Sequence, residues 1–160
     1  MYGLTKQVQE QAVLLFARTQ GINGFGLRYQ NVYGPGQSLK NPYTGILAVF
    51  SNLARQGQAI DIYEDGEESR DFVYIDDVVE TTIRSIKYQE EFIGALNVGS
   101  GQATTVMTVA QEINEFFGDK SKISVSGAFR AGDIRNNIAD VSLTKKVLGF
   151  SPKVSFKQGL

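Results

Sequence analysis

Apolar residues recur at helical spacing near the start of the chain, where polar side chains separate them. The apolar positions are Val8, Ala12, Leu15 and Phe16. This pattern predicts an amphipathic helix over residues 2–19 with these four side chains on its apolar face. Gly21 follows the last periodic residue and is a suitable helix stop.

Helical and alternating segments then succeed one another to the end of the chain. Further helices are predicted over 44–55, 77–87 and 108–118, with short ones from Ser142 to Gly149 and from Ser155. The apolar face of the second helix is formed by Ile46, Val49, Phe50 and Leu53. Strands are predicted over 25–29, 60–63, 71–74, 96–98 and 123–126. This alternation of helix and strand predicts the α/β class.

Side chains at several predicted helix starts match known capping patterns. Asp76 is a suitable N-cap for the third helix, and Ser142 is a suitable N-cap for the short helix that ends at Gly149. Thr108 with Gln111, and Ser155 with Gln158, have the spacing of a capping box. Between the elements, Gln30 to Gly45 reads as one long irregular loop rich in Gly and Pro. Loops of that length inside a compact domain are functional or disordered in most proteins.

The amino-acid composition excludes several kinds of catalytic and binding site. The chain has 160 residues and no His or Cys. A Ser-His-Asp triad, a Cys nucleophile, a zinc ribbon and a disulfide are therefore excluded. With 16 Lys and Arg against 17 Asp and Glu, the chain has no basic excess for a nucleic-acid partner. Its apolar runs are far shorter than the ~20 residues of a membrane span, and its start has no signal core, so we expect a cytoplasmic protein.

The pair Tyr2 and Lys6 offers acid/base chemistry without His. Residues four apart share one face of a helix, and an ammonium near a phenol favours the phenolate and lowers the pKa of the Tyr. Tyr2 is thus a candidate proton shuttle. Taken alone, the pattern also fits two surface residues on an amphipathic helix.

The motifs around this pair, taken together, are more specific. They are Tyr2 to Lys6, Leu27 to Gln37, Arg70 to Val79, Asn97 to Gly101, and Arg130 to Arg135. In order and spacing this series resembles the extended short-chain dehydrogenase/reductase family, in particular its NAD-dependent nucleotide-sugar epimerases and dehydratases. The resemblance covers essentially the whole chain.

The resemblance implies a role for each matching residue on the catalytic side. Tyr2 matches the catalytic acid/base, and Lys6 matches the residue that lowers its pKa and bonds the nicotinamide ribose. Tyr29 is placed with these two on the cofactor side.

Four other positions match substrate-binding residues of the family. Asn31 would contact the substrate near its phosphates, Arg70 and Arg130 would clamp the diphosphate, and Asp133 would hold the ribose hydroxyls. Guanidinium forks suit phosphate oxygens. The alternatives are a turn residue for Asn31, a solvated charge for Arg130, and, for Arg70, an exposed ion pair with a neighbouring acid. Those acids are Asp71 and Glu68.

The sequence also departs from the family. Ala131 stands where the family has Pro. No Gly-rich strand–turn–helix for the NAD pyrophosphate is present, and the family's catalytic Ser or Thr would lie upstream of Tyr2. Gly21, Gly24 and Gly26 have a tempting spacing but follow a helix and enter a strand. We interpret them as a helix stop and a close-packed strand. Both ends of the chain also read as cut.

The resemblance therefore implies that residues 1–160 are the C-terminal part of an NAD-dependent nucleotide-sugar epimerase. The expected fold is the last elements of a Rossmann-like domain plus a small mixed α/β substrate-binding domain. A UDP-sugar 4-epimerase is favoured by the stretch from Arg130 to Asp140.

NAD would be the cofactor of the full enzyme and would not be held by this chain alone, which is expected to be inactive. Alternatives are a 4,6-dehydratase or reductase of the same family, and a non-catalytic nucleotide-sugar-binding or dimerisation module. A homo-oligomer is expected.

Overall fold

A computed structural model describes residues 1–38, 45–129 and 132–160. The helices within these ranges are α1 (Tyr2–Gln20), α2 (Ile46–Arg55), α3 (Ile75–Ile86), α4 (Val106–Phe116), α5 (Ser142–Leu148) and α6 (Phe156–Gly159). The strands are β1 (Gly24–Tyr29), β2 (Asn31–Tyr33), β3 (Ile60–Ile62), β4 (Ser69–Arg70), β5 (Phe72–Tyr74), β6 (Ile93–Val98), β7 (Thr104–Thr105), β8 (Ile123–Val125) and β9 (Asn136–Asn137). The α/β prediction is confirmed.

The strands form small sheets in which parallel pairing prevails. Three parallel pairs join β1 to β6, β2 to β5 and β3 to β8. In the fourth sheet the central strand β4 pairs antiparallel with β7 and parallel with β9. Each of these pairs joins strands that have at least one helix between them along the chain. Parallel pairs require such crossover connections.

Two hydrophobic clusters hold these elements together. In the larger cluster α2 and α4 pack on β3, and the aromatic ends of β2 and β5 close one side. Its members include Tyr33, Phe50, Ile60, Ile62, Phe72 and Ile113. The smaller cluster joins α3 to the two sheets beside it through Val73, Val78 and Val98. Ile60 and Ile62 are fully buried while Asp61 between them is exposed, as the predicted alternation requires.

Two glycines let α1 approach β1 closely. A Cβ on Gly24 would lie 2.5 Å from the Cβ of Ala17, and a Cβ on Gly26 would lie 3.1 Å from the Cγ of Glu10. Gly21 ends the helix in the left-handed conformation at φ 63°. The interpretation of these glycines as a helix stop and a close-packed strand is confirmed.

The apolar face predicted for the first helix is not the face that packs on the sheet. Leu14 and Ala17 are buried against β1, whereas Val8 and Leu15 are each 60% exposed. Strand β1 packs against the side of α1 where small residues allow close contact. The regular apolar stripe of α1 therefore faces outward. The prediction of a helix is confirmed, and its regular apolar stripe lies on the exposed side.

The caps of α3 and α4 differ from their predictions. Tyr74 is the N-cap of α3, and Asp76 lies inside its first turn. For α4 the N-cap is Thr105, whose hydroxyl accepts from the Thr108 N–H at 3.1 Å. Both errors shift a helix start by two or three residues, because Asp and Thr are also tolerated in a first turn.

The cap prediction is correct for α6 and wrong for α5. The capping box at α6 is confirmed, since the Ser155 N–H donates to Gln158 Oε1 at 3.1 Å. At α5 the Ser142 N–H donates to the carboxylate of Asp140, so Ser142 is the first helical residue and is not the cap.

Some predicted boundaries also change. The segment Gln30 to Gly45 begins with strand β2, and its residues 39–44 lie outside the described ranges. In α2 the buried side chains are Leu47, Ala48, Phe50 and Ala54, so the predicted face is only partly correct. The two-residue strands β4, β7 and β9 are too short to leave a sequence pattern.

In the part of the chain that the structure describes, no helix combines the length and the apolar character that crossing a membrane demands.

The close approach of α1 to β1 gives a stability prediction. Gly24→Ala should lower the free energy of unfolding by about 1–3 kcal/mol, because the new methyl group overpacks against Ala17. Gly3→Ala is the matched control, since a Cβ at Gly3 has no heavy atom within 4 Å. Urea unfolding followed by circular dichroism measures both variants. Equal stability of Gly24→Ala and wild type would contradict the packing argument.

Candidate active site

The carboxyl ends of β1 and β6 lie side by side. Tyr29 pairs with Val98 at the last register position, and the Gln30 N–H donates to the Val98 carbonyl at 2.9 Å. The chain then leaves through Asn31 on one strand and Gly99 on the other. Open α/β sheets bind ligands outside the carboxyl ends of their strands, so this edge is where a site is expected.

Tyr2 and Lys6 open onto a surface groove at the same end of β1. The groove has a volume of about 740 Å³ and is lined by α1 and β1, including Tyr2, Lys6 and Tyr29. Lys6 Nζ lies 5.6 Å from the centre of the Tyr2 ring and donates to Gln9 Oε1 at 3.2 Å. Tyr29 forms a 3.0 Å hydrogen bond with the Thr82 hydroxyl. The structure therefore brings Tyr2 and Lys6 together, whereas the Tyr29 side chain leaves β1 on the face opposite to Arg28 and bonds α3.

An ion pair between α1 and β1 forms the floor of this groove. Arg28 donates from Nε to Glu10 Oε2 at 2.6 Å and from Nη2 to Glu10 Oε1 at 2.7 Å. The hydrogen bonds from Arg28 outweigh the effect of burial and hold the pKa of Glu10 below its usual value. The same bonds raise the pKa of the Arg28 guanidinium. The sequence analysis did not identify this pair. Its one signal in the sequence is the position of Glu10, four residues after Lys6 on the same helix.

Arg70 and Asp133 form the second group of predicted residues that the structure brings together. Arg70 Nη2 donates to Asp133 Oδ1 at 2.8 Å, and Nη1 donates to the carbonyls of Ser69 and Arg135 at 2.9 and 3.1 Å. The Arg70 side chain is 18% exposed and the Asp133 side chain is 48% exposed. A fixed guanidinium at a partly open surface can bind an anion such as phosphate.

The exposed ion pair considered for Arg70 with Asp71 or Glu68 is not formed, since its ionic partner is Asp133. Arg130, the other predicted phosphate ligand, lies outside the described residues, and so does Ala131.

Asp71, next to Arg70, carries a fully buried carboxylate. Its Oδ1 accepts from the N–H and the hydroxyl of Ser100 at 2.6 and 2.7 Å, and its Oδ2 accepts from the N–H of Gly101 and Ala139 at 2.9 and 3.1 Å. Such bonds compensate for the loss of hydration of a buried charge. The sequence analysis considered Asp71 only as a possible ion-pair partner of Arg70, because nothing in the sequence shows which backbone amides surround it.

Asn31 belongs to β2, so the alternative of a turn residue is wrong. It pairs with Phe72, and its Nδ2 donates to the Asp71 carbonyl at 3.2 Å. The side chain is partly buried beside the Arg70–Asp71 segment. Asn31 therefore lies next to β5, the strand that begins two residues after Arg70.

Arg135 fixes the turn before β4. Its guanidinium contacts Asp65 at 2.7 Å and Glu64 at 3.4 Å. Arg135 lowers the pKa of Asp65, whereas a hydrogen bond with Glu68 raises the pKa of Glu64. Because the Arg135 carbonyl also accepts from Arg70, this cluster helps to orient the Arg70 guanidinium. Within the described ranges no group of acidic side chains has the arrangement of a metal site.

Comparison with known proteins places these residues in a family context. The sequence profile of the NAD dependent epimerase/dehydratase family matches residues 1–99. Over 160 residues the chain is 42% identical to the dTDP-L-rhamnose 4-epimerase of Burkholderia thailandensis, covering 100% of this chain and 44% of the relative. It is 34% identical to the UDP-N-acetyl-alpha-D-glucosaminuronate decarboxylase of Bacillus cytotoxicus, covering 99% of this chain and 50% of the relative.

Solved structures show the same relationship. The fold is similar to that of the UDP-glucose 4-epimerase of Thermotoga maritima with UDP-glucose, with a TM-score of 0.89 and 35% identity. The match covers 99% of this chain and 50% of that one. The chain thus spans about half the length of the relatives it matches. The predicted fold class, a partial Rossmann-like fold with a mixed α/β region, is confirmed.

Proposed function

This chain belongs to the NAD dependent epimerase/dehydratase family, and we propose that it is the nucleotide-sugar-binding portion of an NAD-dependent sugar 4-epimerase. The observation that carries the proposal is the groove that Tyr2 and Lys6 line on α1, next to Tyr29 at the end of β1. It combines an acid/base pair with the strand end where such folds bind their ligands.

We propose that residues 1–160 are the C-terminal part of the enzyme and that the NAD pyrophosphate is bound by the other half. Gly24 and Gly26 do not form a pyrophosphate cradle, since Ala17 and Glu10 fill the space beside them. The residues here fit only the nicotinamide ribose, which Tyr2 and Lys6 would hold, with Tyr29 bordering the site from the end of β1. NAD, when bound, supplies the acceptor and donor of hydride at the sugar C4.

Tyr2 is the proposed acid/base. Its phenolate would take the proton of the sugar 4-hydroxyl as the C4–H bond breaks, which leaves a 4-keto sugar. The same phenol would return the proton when the other face of C4 is reduced. Lys6 would stabilise the phenolate and contact the nicotinamide ribose.

The nucleotide would lie against Arg70 and Asp133. Arg70 would bind the diphosphate together with Arg130 and Asn31, and Asp133 would accept the ribose hydroxyls. The support is the position of Arg70, whose guanidinium is held by two carbonyls before any ligand arrives.

The nucleotide sugar is proposed as a UDP-sugar. The Thermotoga maritima structure, with UDP-glucose, supports this, while the Burkholderia thailandensis relative acts on a dTDP-sugar. A 4,6-dehydratase or reductase of the same family is the alternative outcome, and the Bacillus cytotoxicus relative is a decarboxylase.

The domain proposal predicts that the 160-residue chain has no turnover. We expect no 4-epimer after incubation with NAD and UDP-glucose, UDP-N-acetylglucosamine or dTDP-L-rhamnose, because the proposed NAD pyrophosphate site lies in the other half. Chromatography of the nucleotide sugars measures the products. Turnover clearly above background, and absent in Tyr2→Phe, would overturn the prediction.

The nucleotide site predicts opposite effects for its two charged residues. Arg70→Ala should weaken both UDP and inorganic pyrophosphate about 10- to 100-fold, since hydrogen bonds to charged groups contribute about 1.5–3 kcal/mol. Asp133→Asn should bind pyrophosphate at least as tightly as wild type, because it removes the carboxylate that competes for Arg70. It should weaken UDP relative to pyrophosphate by about fivefold, because a ribose contact is lost.

Isothermal titration calorimetry measures these affinities. Arg55→Ala, at the exposed end of α2, is the matched control for the loss of an Arg. Unchanged UDP binding by Arg70→Ala would contradict the diphosphate role. An unchanged ratio of the UDP and pyrophosphate affinities in Asp133→Asn would contradict the ribose role.

The outward face of α1 supports assembly into a homo-oligomer as a second, non-catalytic role. Leu4, Val8 and Leu15 are exposed and line a surface hollow of about 470 Å³. Exposed apolar patches of this kind mark interaction sites.

Light scattering at rising concentration should therefore give a mass above that of the monomer. Val8→Asp with Leu15→Asp should shift it to the monomer, because charges placed on the patch oppose its burial. Gln9→Asp is the surface control. A monomeric wild type at high concentration would contradict assembly through this face.

A further inference from the structure

Glu10 occupies a position from which it can compete for Lys6. It lies four residues after Lys6, so the two side chains are neighbours on the surface of α1. Tyr2 is four residues before Lys6 on the same face. In an isolated helix a Lys and a Glu at this spacing attract each other. The ammonium of Lys6 thus has two candidate partners, one turn before it and one turn after it.

The structure shows how this competition is resolved. Both Glu10 oxygens accept from Arg28, at 2.6 and 2.7 Å. Lys6 Nζ instead donates to Gln9 and lies 5.6 Å from the centre of the Tyr2 ring. The ammonium is therefore not bound by Glu10 and lies over the Tyr2 ring.

The backbone of β1 is shaped to receive the Glu10 side chain. Gly26 leaves the space that Glu10 occupies, since a Cβ there would lie 3.1 Å from Glu10 Cγ and 3.5 Å from Oε2. Arg28 is two residues further along the strand, so its side chain leaves from the same face as Gly26. The Glu10 side chain is only 14% exposed in this position, compared with 55% for Arg28.

We propose that Arg28 is a positioning residue that holds the Glu10 carboxylate on β1 and thereby leaves the Lys6 ammonium to act on Tyr2. The inference rests on the proposed acid/base role of Tyr2. The ionisable side chains that line the groove are Tyr2, Lys6, Glu10, Arg28 and Tyr29.

Removal of Arg28 would leave Glu10 as a partly buried carboxylate without its cation. An unpaired charge of this kind is unfavourable, and Lys6 is the nearest cation on its own helix face. Lys6 would turn toward Glu10, and the phenolate of Tyr2 would lose its stabilising charge. Removal of the Glu10 charge as well would eliminate the competitor and return Lys6 to Tyr2.

The test is the fraction of Tyr2 present as phenolate in the 160-residue chain, at a pH just below the ordinary phenol pKa of about 10. Near-ultraviolet difference absorbance between each variant and the same variant carrying Tyr2→Phe isolates Tyr2 from the other six Tyr residues of the seven in the chain. The variants are Lys6→Met, Arg28→Ala, Arg28→Lys, Glu10→Gln, and Glu10→Gln with Arg28→Ala. Circular dichroism confirms that each is folded.

We expect the phenolate fraction to fall about threefold in Lys6→Met and about twofold in Arg28→Ala. Arg28→Lys, Glu10→Gln and the double variant should match wild type. Recovery in the double variant separates the charge effect from a structural one, because the double variant lacks the ion pair as completely as Arg28→Ala does.

Three results overturn the inference: an unchanged fraction in Arg28→Ala, no recovery in the double variant, or a fall in Glu10→Gln. Glu10→Gln can overturn the inference even if Arg28→Ala does not fold, since its amide can still bond Arg28. An unchanged fraction in Lys6→Met would instead show that Lys6 does not act on Tyr2, which would remove the acid/base pair of the proposed function. Failure of the inference alone leaves the Lys6→Met effect intact.

Discussion

The carboxylate of Asp71 is the interaction on which the geometry of the site depends. It lies between Arg70 and the core residue Phe72, and it bonds the turn after β6 and the segment before α5. Because the charge is fully buried, each of these bonds offsets lost hydration, and none can be given up cheaply. A Cβ at Gly99 would lie 2.5 Å from Asp71 Oδ2, so the arrangement also requires glycine there. The Asp71 side chain thus holds together three segments that are distant in sequence. Arg70 directly precedes Asp71, so its backbone position is fixed by the same contacts.

Three arginines at and around the candidate site are each paired with a carboxylate of the same chain. Arg28 is paired with Glu10, Arg70 with Asp133, and Arg135 with Asp65. This pairing keeps the guanidinium groups in place in the absence of a ligand, and it agrees with a net charge of only −1. It also means that an incoming anion must exchange with an internal carboxylate, so affinity depends on the difference between two ion pairs. When an anion takes the place of Asp133 at Arg70, the Asp133 carboxylate loses its partner. A ligand that also bonds Asp133 compensates for this loss and is therefore bound selectively.

Much of the fold could be predicted from the sequence, because the longer helices and strands have clear periodicity and several of them, such as α1 and α5, end at glycines. Tyr2, Lys6, Arg70 and Asp133 were chosen as candidates through motif order. The sequence could not show which face of α1 is packed, since the contact is made by glycines on β1 and not by the apolar stripe. It also could not show Asp71 or the Glu10–Arg28 pair, because both depend on contacts between distant segments. The pairing strands β4, β7 and β9 exist only through those contacts and have no local pattern.

The strand topology has a consequence for how the chain folds. No strand pair among the described residues is a hairpin, and every pair has a helix between its strands along the chain. Each pairing must therefore close a long loop before its hydrogen bonds form, and the entropy of that closure is lost in advance. The helices, whose contacts are local, form early, while the sheets form late and together. Until the sheets form, the outward face of α1 and the unpaired strands are exposed at the same time. Sheet formation is therefore the folding step that competes with aggregation.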